Sequence, residues 1–167
     1  NAKVLGASYI CKNASEHLKT IHKKYQVGSK IGIYCARGGL RSTSLATIFS
    51  FTDYQVFKIK DGYKEYRQFI INYIESFKHE NFIVLGGNTG CGKSELIQKL
   101  SPSIDLEYLA NHFGSTFGLM NGKQPNQKAF QNELAYELLN IDDKSWLFIE
   151  GESKKIGSII QPDLLYK

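Results

Sequence analysis

Residues 81–100 read NFIVLGGNTGCGKSELIQKL, and their order decides the fold class. The apolar run Asn81–Leu85 predicts a β-strand, and Ser94–Leu100 predicts a helix. Between them Gly87, Asn88, Thr89, Gly90, Cys91, Gly92, Lys93 and Ser94 satisfy G-x-x-x-x-G-K-[ST] in full. Glycines let the backbone turn tightly and aim successive N–H groups at phosphate oxygens, and the helix adds its positive end. In this pattern the lysine ammonium neutralises terminal phosphates, and the Ser94 hydroxyl is the expected Mg²⁺ ligand. A Gly-rich turn that binds nothing is the plain alternative. Strand, loop and helix in direct succession weigh against it.

An acid that organises the metal is expected at the end of a neighbouring strand. Trp146–Ile149 (WLFI) predicts a buried strand that runs into Glu150-Gly151-Glu152. Glu150 is therefore the metal candidate beside Ser94, with Glu152 in reserve and Asp105 a further candidate. A solvated acidic turn is the competing reading.

Upstream, Ala14–Tyr25 predicts a helix with Leu18, Ile21 and Tyr25 on one face, and Lys30–Cys35 a short strand. Ser42–Phe51 opens with hydroxyl residues suited to an N-cap and continues as a helix. Tyr54–Ile59 is a second strand, ended by Asp61-Gly62. Tyr63–Lys78 is a long amphipathic helix with Tyr66, Ile70, Tyr73 and Phe77 along one stripe. Downstream, Gln127–Leu139 predicts a further helix. Strands that alternate with helices imply an α/β architecture with largely parallel sheets. The expected boundary is the junction Lys78–Asn81, which divides the chain into 1–80 and 81–167.

A second loop lies between the first strand and the next helix: Cys35-Ala36-Arg37-Gly38-Gly39-Leu40-Arg41-Ser42. A thiol at a helix N-terminus beside two guanidiniums, those of Arg37 and Arg41, should titrate below the usual value of about 8.5 and be thiolate at neutral pH. Gly38 and Gly39 allow the loop to curl so that its amides face a common centre, an anion cradle with a nucleophile at its base. A buried structural cysteine is the competing reading. The C-x-x-G-x-x-R-S spacing also matches the loop of cysteine-dependent phosphatases, although Tyr34 stands where those have His. Sulfurtransferases of the rhodanese type use a similar cradle. Cys11 and Cys91 lack such surroundings.

Composition bounds the rest. The 167 residues are 42% hydrophobic with ten Phe, ten Tyr and one Trp, which excludes a disordered chain. Three cysteines exclude a disulfide scaffold. No apolar run approaches a membrane span and no signal-peptide pattern opens the chain, so a cytoplasmic protein with no membrane partner is expected. The net charge of +5 is uneven: residues 1–80 carry +7 and residues 81–167 carry −2. The basic half suits a polyanion, with Lys58, Lys60, Lys64 and Arg67 just beyond the cysteine loop; a solvated helix face is the competing reading.

A cysteine loop followed directly by a phosphate loop is much rarer than either alone. The chain resembles the bacterial tRNA 2-selenouridine synthases, in which a rhodanese-like domain is joined to a P-loop domain. The resemblance rests on YCARGGLRS at 34–42, DGYKEYR at 61–67 and GGNTGCGKS at 86–94. It continues in DLEYLANHFGSTFG at 105–118, Gln124-Pro125 with Gln127, and EGESKKIG at 150–157. LGASY at 5–9 looks like the segment that precedes the first helix in that family. Ala36, Phe113 and Gly151 depart from it, standing where the family usually has a bulky aromatic, an Arg and an acid.

The resemblance implies an enzyme, a transferase, that converts wobble 2-thiouridine of tRNA to 2-selenouridine. Selenophosphate is the donor, and an S-geranylated intermediate is made from geranyl diphosphate. It implies Cys35 as the essential thiol, with Arg37, Arg41 and the loop amides on the selenium donor. Gly87–Ser94 would hold a diphosphate, of the prenyl donor or of a nucleotide. No tightly bound cofactor is expected beyond Mg²⁺. A cysteine-dependent phosphatase or P-loop kinase acting on a small phosphorylated substrate is the alternative. Both halves fall below the usual domain size of roughly 100–150 residues, and residue 1 is Asn rather than Met. A rhodanese-like domain at 1–80 without its N-terminal part and a P-loop domain at 81–167 without its C-terminal part are therefore expected.

Overall fold

A computed structural model describes residues 1–88, 90–113, 118, 122–142 and 144–166. The chain forms two compact units, Asn1–Phe69 and Ile70–Lys167. Among the described residues no helix is long and apolar enough to cross a membrane.

The first unit opens with α1 (Ala2–Lys24), followed by β1 (Lys30–Ile33), α2 (Leu40–Phe49), β2 (Gln55–Lys58) and the start of α3 (Gly62–Ser76). β1 and β2 pair in parallel, Lys30 with Gln55 through Ile33 with Lys58, and α2 supplies the crossover that a parallel pair requires. Ala14, Ile33, Phe49 and Tyr54 are buried. Helix α1 begins twelve residues before the expected Ala14, so LGASY at 5–9 lies inside it. Its residues are mostly good helix formers, and the single Gly6 weakens it by only about 1 kcal/mol relative to Ala. Tyr25, expected on the apolar face, is extended and 54% exposed. It caps the helix and accepts the Tyr54 hydroxyl at its carbonyl, 3.2 Å. Helix α2 starts at Leu40 with Gly39 as N-cap, so Ser42 is its third residue and does not cap it.

The second unit contains β3 (Phe82–Leu85), α4 (Lys93–Ile97), β4 (Ser103–Ile104), α5 (Leu106–Ala110), α6 (Gln127–Leu139) and β5 (Leu147–Glu150). A short antiparallel ribbon, β6 (Lys155–Ile156) with β7 (Ile159–Ile160), and α7 (Asp163–Tyr166) complete it. The sheet order is β3-β5-β4, all parallel, which confirms the α/β class. β5 lies at the centre, and its continuous apolar run LFI matches a strand covered on both faces. Trp146, expected to open that strand, precedes the ladder and is 58% exposed; pairing begins at Leu147, opposite Phe82. Helix α6 covers the expected residues. It is capped by the Asn126 side chain, and it buries Phe130, Leu134, Ala135 and Leu138 on one face.

One further expectation shifts. Helix α4 is shorter than expected at its C-terminal end, because Lys99 and Leu100 close onto Leu96 and Ile97 in tight three-residue turns. The two compact units divide within α3, between Phe69 and Ile70. The C-terminal half of that helix belongs to the second unit, where Phe77 meets Phe82 edge-on with ring centroids 6.5 Å apart. The buried stripe of α3 is Arg67, Ile70 and Ile74, continued by Phe77 just past its end, with Tyr66 and Tyr73 only half-buried.

Candidate active site

The cysteine loop joins β1 to α2, and Cys35 sits half-buried at its start. Its Sγ lies 3.3 Å from the Ser42 Oγ, which is also 3.0 Å from the Gly39 carbonyl. One hydroxyl proton thus faces two acceptors, and donation to sulfur favours the thiolate. The Cys35 thiol is brought down to about 6, first by the Ser42 hydroxyl and next by the Arg37 backbone N–H. Burial opposes the shift, and the N–H groups of Ser42 and Gly39 add to it. The cause therefore differs from the expected one. The Arg37 and Arg41 guanidiniums are exposed, and Arg37 acts on the sulfur through its main chain.

The loop is shaped by a turn from elsewhere in the chain. Tyr63 N–H donates to the Cys35 carbonyl at 2.8 Å, which seats the Asp61-Gly62 turn against the loop. Gly62 has φ +64°, and a Cβ there would run into the Cys35 carbonyl oxygen. Gly38, φ +62°, faces the same turn, and its Cβ would come within 2.7 Å of the Asp61 nitrogen. Gly39, expected to share this need, has extended backbone and open space around it. Of the basic cluster, Lys58, Lys60 and Lys64 are exposed, and Lys58 also donates to Thr43 Oγ1 of α2 at 3.0 Å and to the Gly38 carbonyl at 3.4 Å. Arg67 is buried on the inner stripe of α3 and does not belong to an exposed patch.

The phosphate loop joins β3 to α4. Gly92 adopts the left-handed conformation as N-cap, and Lys93 is the first helical residue. Asn88, Gly90 and Cys91 are exposed along the loop, and Thr89 lies outside the described residues, as do residues 114–117. Lys93 Nζ donates to the Gly87 carbonyl at 3.0 Å and lies 3.8 Å from Glu152 Oε1. The Ser94 hydroxyl is 3.1 Å from Glu107 Oε2 and 3.4 Å from Glu150 Oε1. Glu150 ends β5 opposite Leu85, at the mouth of the loop, and accepts the Glu107 backbone N–H at 3.4 Å. A cleft of about 480 Å³ opens here between Gly90, Gly92, Lys93, Ser94, Glu107 and Phe113.

Glu107, Glu150 and Glu152 offer carboxylate oxygens within 4.8 Å of one another. Burial and the neighbouring Glu107 and Asp105 push Glu150 up to about 7, against the Glu107 N–H, which favours its charge. Glu152 is raised as well, by burial and Glu107, with Lys93 opposing. Crowded carboxylates with one hydroxyl are hard oxygen donors, and a divalent cation would relieve their mutual repulsion. Ser94, Glu150 and Glu107 thus fit Mg²⁺. Sequence reading named Ser94 and Glu150 but passed over Glu107, whose signal was an acid inside the apolar run LEYLA. Asp105 has a different part: it is the N-cap of α5, accepting from Tyr108 N–H at 2.8 Å. Asn111 and His112 close that helix, with His112 N–H on the Glu107 carbonyl at 3.0 Å.

Residues 80–167 match the family described as the tRNA 2-selenouridine synthase AAA domain. The chain belongs to that family. A tRNA 2-selenouridine synthase of Psychromonas ingrahamii is 41% identical over 135 residues, covering 80% of this chain and 37% of the relative. Those of Hydrogenovibrio crunogenus and a Sulfurovum species are 38% and 40% identical over 142 and 139 residues, 80% of this chain in each case. The chain spans 37–39% of the length of these curated relatives. No solved structure matches it.

Proposed function

We propose that the chain is part of a tRNA-modifying transferase of the cytoplasm. Its reaction replaces sulfur by selenium at C2 of wobble 2-thiouridine, with selenophosphate as donor and an S-geranylated intermediate. The observation that carries this reading is the presence of two anion sites on one chain of this family. One is a thiolate seated among loop amides, and the other a phosphate loop whose Ser94 faces Glu107 and Glu150. The names of the relatives supply the tRNA and the selenium.

In this reading the first unit is a piece of a rhodanese-like sheet. Cys35 is its essential thiolate, the loop amides hold the anionic selenium donor, and Arg37 and Arg41 meet it from the exposed rim. Exposed Tyr34, stacked on Tyr63 beside the thiol, offers an aromatic face to a tRNA base. In the second unit Lys93 and the amides of Gly87–Ser94 hold the diphosphate of geranyl diphosphate, and Phe113 forms an apolar wall for the prenyl chain. The thiouridine sulfur bonds to the geranyl carbon as its C–O bond breaks, and that electron pair leaves with diphosphate. Selenium then displaces the geranyl thiolate at C2, and its phosphoryl group passes to water. Ser94, Glu107 and Glu150 would hold Mg²⁺, which neutralises charge on the departing diphosphate.

Nucleoside analysis of tRNA from cells with and without the gene tests this. Loss of 2-selenouridine is expected on deletion and with Cys35→Ala, and loss of the S-geranylated nucleoside with Lys93→Ala. Selenium incorporation that persists with Cys35→Ala would sink Cys35 as the essential thiol. The Ser42 hydroxyl on the thiol also suits a cysteine-dependent phosphatase; turnover of an aryl phosphate, lost with Cys35→Ser, would favour that reading instead.

A further inference from the structure

Gln161 follows β7 and is only 1% exposed, in a chain position where nothing in the motifs draws notice. Its Nε2 donates to the carbonyls of Glu152 at 2.8 Å and Ser153 at 2.6 Å. Its backbone N–H donates to the Lys154 carbonyl at 3.1 Å. One residue therefore holds three consecutive carbonyls of the segment that leaves β5. That segment lies between the end of the parallel sheet at Glu150 and the start of the ribbon at Lys155.

The other half of the amide is informative. Among the described residues Gln161 Oε1 is buried without a hydrogen-bond partner, an unfavourable state for a buried acceptor. An apolar side chain of similar volume would fill the same space without that penalty. What an apolar residue lacks is the pair of N–H donors, and both are spent on the backbone that carries Glu152. Glu152 in turn extends its carboxylate to within 3.8 Å of Lys93 Nζ, both side chains 11% exposed, and belongs to the three-acid group around Ser94.

We infer that Gln161 is a positioning residue for the phosphate loop, clamping the Glu152–Ser153 backbone so that the Glu152 carboxylate stands opposite Lys93, beside the acids that face Ser94. The inference rests on the reading of Gly87–Ser94 as a diphosphate site, and its test separates the two. Inorganic pyrophosphate is titrated into the full 167-residue chain by calorimetry over a range of Mg²⁺ concentrations. Binding by the wild type and none by Lys93→Ala is the result expected of the site; a wild type that binds none overturns the site reading and the clamp with it.

Given a working site, Gln161→Leu should raise the Mg²⁺ needed for half-maximal pyrophosphate binding about tenfold. Glu152→Gln should do the same, and the double variant should add nothing further, because both act through one carboxylate. Gln127 also grips the ribbon, exchanging hydrogen bonds of 2.7 and 2.9 Å with Ile160. Gln127→Leu should lower the melting temperature and leave the Mg²⁺ requirement unchanged. An equal shift in Gln127→Leu, or additive shifts in the double variant, would mean general loosening and overturn the clamp. If Gln161→Leu does not fold, Gln161→Met, close in volume and flexible, carries the same measurement.

Discussion

The cysteine loop and the phosphate loop share a plan: each leaves a parallel strand, turns through glycines and delivers a residue to a helix N-terminus. They differ in where their chemistry comes from. Cys35 is acidified by Ser42, Arg37 and Gly39, all within seven residues, through one hydroxyl and the loop's own amides. Ser94 and Lys93 are completed by Glu107, Glu150 and Glu152, between 13 and 59 positions away, brought in by α5 and the end of β5. A nucleophile needs its charge stabilised at one atom, which a short loop can do by itself. Around Ser94 and Lys93, by contrast, three carboxylates converge. Glu107 comes from α5, whereas Glu150 and Glu152 come from one turn at the end of β5, so the fold gathers the three acids from two separate segments.

The sharpest challenge to that contrast is Gly62, the distant residue on which the cysteine loop leans. Gly62→Ala must clear the Cys35 carbonyl and adopt a left-handed φ, so it should lose roughly 2–4 kcal/mol in chemical denaturation. A loss below about 1 kcal/mol would show that the loop holds its shape without the Asp61-Gly62 turn.

A smaller effect tests the local account itself. Ser42→Ala should move the pH midpoint of Cys35 alkylation up from about 6, toward the ordinary thiol value of about 8.5, slowing iodoacetamide severalfold at pH 6.5. The readout is the Cys35 peptide by mass spectrometry. An unchanged midpoint would assign the shift to the amides alone.

The smallest expected effect probes the convergent acids. Burial holds Glu150 up at about 7, so between pH 4.5 and 7 the folded chain keeps a proton that the unfolded chain has released. Stability contributed by this group therefore falls as pH rises through that window, and the penalty is complete above 7. Glu150→Gln removes it: without Mg²⁺, the thermal midpoint should rise by about 3 °C at pH 8 and stay unchanged at pH 4.5. A drop at pH 8 would mean that the hydrogen bonds to Ser94 and Glu107 outweigh the repulsion.

Much of the architecture was legible in the residue order. The helix Gln127–Leu139, the strand before Gly87 and the α/β alternation follow from periodicity, because a buried face must repeat with the backbone's own period. Ends were less legible. Trp146 looked like strand and stands outside it, and α1 runs back to Ala2, since a run of helix formers carries no stop signal. Arg67 was counted with the exposed lysines because charge alone does not say which side of a helix faces inward.

By itself the sequence determined the two loops, the candidate residues Cys35, Lys93 and Ser94 that they carry, and the expectation that Glu150 stands near Ser94. These are contiguous patterns, and contiguous atoms are constrained by the backbone whatever the rest of the chain does. Only the tertiary structure decided that Ser42 rather than a guanidinium acidifies Cys35, that Gly62 shapes its loop, that Glu107 stands against Ser94, and that Gln161 holds the backbone carrying Glu152. Each of those depends on a distance of a few ångströms between groups that the chain brings together by folding.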